Sequence, residues 1–186
     1  MSKGPHTTEM KFYRDSFAYG SLLEAQDTLT FIQNAYQADQ SGLAACLFNA
    51  FVANYCRPFL KSNEIGKATD KFVPEDLKSL HTSTLKMRGV VVGHIDPTAL
   101  DDNGKQFNHC AVLVEPERMS PILSKPTMDR QRIGDYRKLL SVQLEGFVEL
   151  IVEHYWNLPE EVRNLPAGRY GLNYSAADGI KWLPQE

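Results

Sequence analysis

From Ser21 onward the apolar residues Leu22, Ala25, Leu29, Ile32 and Tyr36 recur at steps of three and four. That spacing lays one stripe along one face of a helix. A second segment follows from Ser41, with Leu43, Cys46, Leu47, Ala50, Phe51 and Tyr55, and Pro58 ends it. It is apolar on most sides, which places it at the centre of a domain. Only Asp39 to Gly42 separates the two segments, so they are expected to be antiparallel neighbours in a bundle.

Pro74-Glu75-Asp76 reads as the start of a third helix, since proline suits the first turn and acids suit the positive end of the helix dipole. Its stripe is Leu77, Leu80, Thr84, Met87 and Val91, and Pro97 stops it by Asp96. Asp101-Asp102-Asn103-Gly104 is a turn signal that lacks the closing glutamate of a calcium loop. Phe107 to Glu115 and Met119 to Ser124 read as a small hairpin inserted at about residues 105–125, with Pro116 and Pro121 confining both strands to edges. A long helix from Thr127 to Trp156 carries Ile133, Tyr136, Leu140, Leu144, Phe147, Ile151 and Tyr155. The helix either closes the bundle or turns its extra apolar residues Leu139, Val148 and Val152 to a second subunit. From Asn157 the prolines and glycines predict an irregular docked tail.

The expected organisation is thus a mainly α protein: an N-terminal segment over 1–20, a helical domain over 21–157 and a C-terminal tail over 158–186. With 20 basic and 23 acidic side chains the net charge is −3, so nothing in the overall balance drives binding to nucleic acid. The charge is unevenly spread. Lys125 to Lys138 holds five bases and two acids, whereas Leu139 to Glu186 holds three bases and seven acids. The basic stretch is either a solvated helix start or a local anion patch.

Three cysteines without a CxxC pair and a polar, charged start from Met1 to Phe12 suggest free thiols in the cytoplasm. The apolar run Gly42 to Cys56 is too short to span a membrane, so no membrane association is expected. No phosphate-binding glycine loop, zinc-protease motif or nucleophile elbow is present, and His109-Cys110, adjacent in a strand, make a poor metal pair. Neither metal nor cofactor is called for.

The segment richest in chemistry is Leu80 to Leu100, where five residues separate Arg88 from His94, His81 lies one heptad before the arginine, and Asp96 follows. An imidazole can move the proton of a ribose 2′-hydroxyl while a guanidinium holds the phosphate and its developing charge. Six steps along a helix leave Arg88 and His94 about 120° apart. They converge if Gly93 loosens the last turn, or if two copies of the helix share one cleft. His94 also falls on the core stripe set by Leu80 and Met87, which leaves a buried structural histidine as the other reading. Tyr55-Cys56-Arg57-Pro58-Phe59 has a plain helix-end reading too, with Arg57 bonding the last carbonyls.

The helical pair ending in Tyr55-Cys56-Arg57-Pro58-Phe59, then Leu80-His81, Leu85, Arg88 and Gly93-His94-Ile95-Asp96, resembles the HEPN superfamily over residues 21–100. Its members are helical domains marked by an arginine followed a few residues later by a histidine. The resemblance implies a homodimeric antiparallel bundle whose paired Arg and His cut RNA without metal, often in toxin or defence systems beside a nucleotidyltransferase-type antitoxin. Carried over, Arg88 and His94 are the catalytic candidates, and His81, Asp96 and Arg57 the supports. Active members usually place Asn or Asp directly after the arginine, where this chain has Gly89. That departure favours the alternative, a catalytically inactive HEPN-like module for dimerisation or protein interaction.

Overall fold

The structure is a computed structural model that describes residues 7–61, 66–89, 109–115, 118–124, 127–175 and 179–185. It is mainly helical. Helix α1 runs Thr8–Gln37, α2 Ser41–Cys56, α3 Lys78–Arg88, α4 Ile133–Trp156 and the short α5 Glu160–Arg163. Strands β1 (His109–Glu115) and β2 (Arg118–Ser124) pair antiparallel, as do β3 (Arg169–Ser175) and β4 (Gly179–Gln185). Among the described residues no helix is long and apolar enough to cross a membrane.

Helix α1 starts far earlier than the apolar stripe indicates. Thr7 caps it, its hydroxyl oxygen accepting from the Met10 amide at 3.3 Å, so residues 8–20 belong to the bundle and not to a separate N-terminal segment. The spacing fails there because the buried face passes through a charged residue. Asp15 is fully enclosed, takes Nε and Nη2 of Arg14 at 2.7 and 3.0 Å, and faces His154 Nε2 of α4 at 3.0 Å. A buried carboxylate is tolerable only with such partners, and this one ties the first half of α1 to the end of α4. At the other end of α1, Asp39 takes a left-handed φ of 55° and Gln40 N bonds back to Ala35 O at 2.8 Å. This turn reverses the chain into α2.

The core joins Leu22, Leu29 and Ile32 of α1 to Phe48, Phe51 and Tyr55 of α2, Leu80 of α3, and Leu139, Leu140 and Phe147 of α4. Phe51 lies at its centre, with ring centroids 6.2 Å from Phe48, 5.9 Å from Tyr55 and 4.9 Å from Tyr136. Leu139 is therefore core, not a residue facing a second subunit. Gly146 on α4 has no room for a side chain: a Cβ there would overlap the Phe72 ring, which packs edge-on to Phe147.

The first turns of α3 and α4 are tighter than their sequences indicate. Short 3-10 turns over Glu75–Leu77 and Arg130–Arg132 precede them, so α4 begins at Ile133 and not at Thr127. The tail after α4 is not irregular. Pro159 opens α5, and the segment beyond folds back as β3 and β4, with Leu172 opposite Trp182. Trp182 meets Phe12 of α1 at 5.5 Å between ring centroids. Prolines and glycines obscured the alternation that the strands need. Pro121, opposite Val112, and Pro184, opposite Tyr170, are accommodated because both strands of a two-stranded sheet are edges.

Candidate functional site

Arg88 is the last residue of α3, exposed, with Gly89 as the C-cap. His94 and Asp96 lie outside the described residues. One turn before Arg88, the buried Thr84 hydroxyl donates to Leu80 O at 2.7 Å and shares a hydrogen bond with the Tyr136 hydroxyl at 3.1 Å. The Cys56 thiol donates to Thr84 O at 3.4 Å. Helices α2, α3 and α4 thus meet on one backbone turn, and that meeting point positions Arg88.

Two cations act on this trio. Burial pushes the Cys56 thiol up to about 12, with Arg88 pulling the other way. Burial likewise raises the Tyr136 hydroxyl, which the Thr84 bond and then Arg132 oppose. Both groups stay protonated at neutral pH, so Cys56 is no nucleophile. With Cys56 and Tyr136 both neutral and hydrogen-bonded inward, the trio is suited to fixing the three helices and not to covalent catalysis.

His81 does not stand in an open cleft. It is buried, its Nδ1 is 2.6 Å from the Tyr55 hydroxyl, and its ring packs edge-on to Phe59 at 4.9 Å. Burial holds the imidazole below the usual histidine value and raises the Tyr55 hydroxyl well above the usual tyrosine value. Tyr55 therefore donates and His81 accepts as a neutral ring. The Gln143 carboxamide is buried beside that hydroxyl without closing a hydrogen bond of good geometry.

A pH dependence follows from the lowered His81 value. The unfolded chain takes up a proton below about pH 6.5 while the folded protein does not. Stability is full above that pH and falls as the pH drops from there toward the lower folded value. A His81→Gln variant cannot titrate, so its urea midpoint should approach that of the wild type on going from about pH 7.5 to about pH 5.5. A gap that stays constant contradicts a neutral buried His81.

Arg57 is exposed and does not bond the carbonyls that end α2. Its Nη1 reaches Glu24 Oε2 at 3.3 Å and its Nη2 the Asn54 side-chain oxygen at 3.2 Å. Among the described candidates, Arg88 and Arg57 are exposed at helix ends and His81 is enclosed. Arg132, whose charge bears on the Tyr136 hydroxyl, lies in the basic stretch, but nothing in its local spacing linked it to Tyr136.

Helix α4 carries a further exposed feature: Val148, Val152, Tyr155 and Trp156 lie open to solvent at helical spacing, Trp156 at 65%. Among the described residues no group of three or more His, Cys, Asp or Glu is placed to hold a metal ion. Compared with family models, curated proteins and solved structures, the chain matches none.

Proposed function

We propose that the chain is a HEPN-type protein working as a homodimer, with Arg88 and His94 in a cleft that binds RNA or nucleotides and cleaves RNA without metal. The observation that carries this reading is Arg88, exposed as the last residue of α3 above the turn that Cys56, Thr84 and Tyr136 fix. In this arrangement the guanidinium of Arg88 holds the scissile phosphate and the imidazole of His94 moves the 2′-hydroxyl proton. A role in toxicity or defence, with a nucleotidyltransferase-type antitoxin as partner and the cytoplasm as its place, belongs to the same reading. Incubating the protein with RNA in excess EDTA, beside Arg88→Ala and His94→Ala, tests it. Cleavage lost in both variants supports it, and cleavage surviving in both overturns the residue assignment.

The second reading, a dimerisation or interaction module without catalysis, is favoured by Gly89 and by the exposed stripe on α4. This reading needs a dimer, and the stripe is the surface best suited to it. Val152→Glu buries an unpaired charge in that interface at a cost of about 3 kcal/mol or more. Sedimentation should then show the dimer weakened by at least about 100-fold, while the folded spectrum is unchanged. A dimer that keeps its affinity places the interface elsewhere.

A further inference from the structure

We infer that the cavity between the first half of α1 and the turn after α2 binds the phosphate of a nucleotide, with the base laid on Phe17. The cavity encloses about 120 Å³ and is lined by Arg14, Arg57 and Lys61, with no acid among its described lining residues. The charged side chains among the described lining residues are all basic, with Arg14 paired to Asp15 and Arg57 to Glu24. Phe17, Pro58 and Leu60 complete the wall. Phe17 is 41% exposed, and an open aromatic face at a cationic groove suits base stacking.

The cations are held in different ways. Arg14 is fixed by the buried Asp15, which engages Nε and Nη2, so among the described residues Nη1 has no bonded partner. That pairing orients Arg14 before any ligand arrives. Among the described residues Arg57 is held by Glu24 and Asn54 at the surface, and exposed pairs of this kind exchange at little cost. The loop bearing Lys61 returns through Gly66, whose φ of 75° calls for glycine, and Ala68 N closes it on Pro58 O at 2.9 Å. The volume has room for a few water molecules, and hence for one compact anion. Three cations lining one cavity match a phosphate better than a planar carboxylate, which one arginine fork satisfies.

The site is independent of the Arg88 and His94 assignment. Titrating the full chain with AMP, adenosine and inorganic phosphate tests it, with short RNAs bearing or lacking a 5′-phosphate as further arms. AMP should bind more tightly than either of its parts. Arg57→Ala and Lys61→Ala, both at exposed positions, should each weaken AMP about 10-fold or more. Phe17→Ala should remove the advantage of AMP over phosphate, and Glu24→Gln, which releases Arg57, should strengthen binding. Arg88→Ala should bind AMP like the wild type. A preference for the 5′-phosphorylated RNA identifies an RNA end as the ligand, and binding of AMP alone identifies a free nucleotide. The inference is overturned if AMP binds no better than phosphate, if both cation variants bind AMP like the wild type, or if binding depends on Arg88 instead of Lys61.

Discussion

Phe51→Ala should lower the unfolding free energy by about 3–5 kcal/mol, the cost of removing a fully buried aromatic ring and leaving a cavity. For a chain of this length that corresponds to a fall in Tm of roughly 6–20 °C. The size of the effect comes from position. Phe51 touches Phe48 and Tyr55 on its own helix and meets Tyr136 of α4 edge-on at 4.9 Å, so its loss loosens the α2–α4 contact on which the Thr84 turn of α3 also rests. Phe31→Ala is the matched control, since Phe31 is 59% exposed, and a surface truncation should change stability by about 0.5 kcal/mol or less. Thermal melts of the two variants check the packing. A Phe51→Ala melt no lower than that of Phe31→Ala contradicts the placement of α2 at the centre.

The second large effect is on RNA cleavage. A positioned histidine acting as general acid or base contributes about 10²–10⁴-fold, and a donor aimed at the developing charge about 10²–10³-fold. His94→Ala and Arg88→Ala should therefore reduce the single-turnover rate in EDTA by those factors. Arg88→Lys keeps the charge but loses the planar fork, and its rate should lie between the wild type and Arg88→Ala. Gly89 withholds a polar neighbour from Arg88, so Gly89→Asn, restoring the residue usual in active relatives of the proposed family, should raise the rate. Rates indifferent to all these changes would favour the module without catalysis.

The helical core was largely legible in sequence because apolar spacing reports burial directly: Leu22, Ala25, Leu29 and Ile32 are all enclosed, as are Phe51 and Tyr55. Spacing misled where burial is not apolar. Asp15 is as deeply buried as Leu22, and its pairing with Arg14 and His154 of α4 could not be read from α1 alone, so the first turns of that helix looked like a tail. Leu139 looked surplus to the α4 stripe because the stripe is wider than a two-helix seam. His81 looked chemical for the same reason that it is structural: histidine is the polar residue best able to accept a hydrogen bond from an enclosed tyrosine hydroxyl while staying neutral. On α3, the sequence marked Arg88 but not its surroundings, since Cys56, Thr84 and Tyr136 come from three helices and converge only in the folded chain.

The central claim is that Arg88 and His94 act together in a cleft shared by two subunits, and mixing inactive partners tests it most directly. Arg88→Ala and His94→Ala protein, each inactive alone, are combined, allowed to exchange subunits and assayed on RNA in EDTA. The heterodimer keeps one Arg88 and one His94, so the mixture should regain a measurable fraction of wild-type cleavage. A mixture as inactive as its two parents, or a wild-type protein that leaves RNA intact, would contradict the claim.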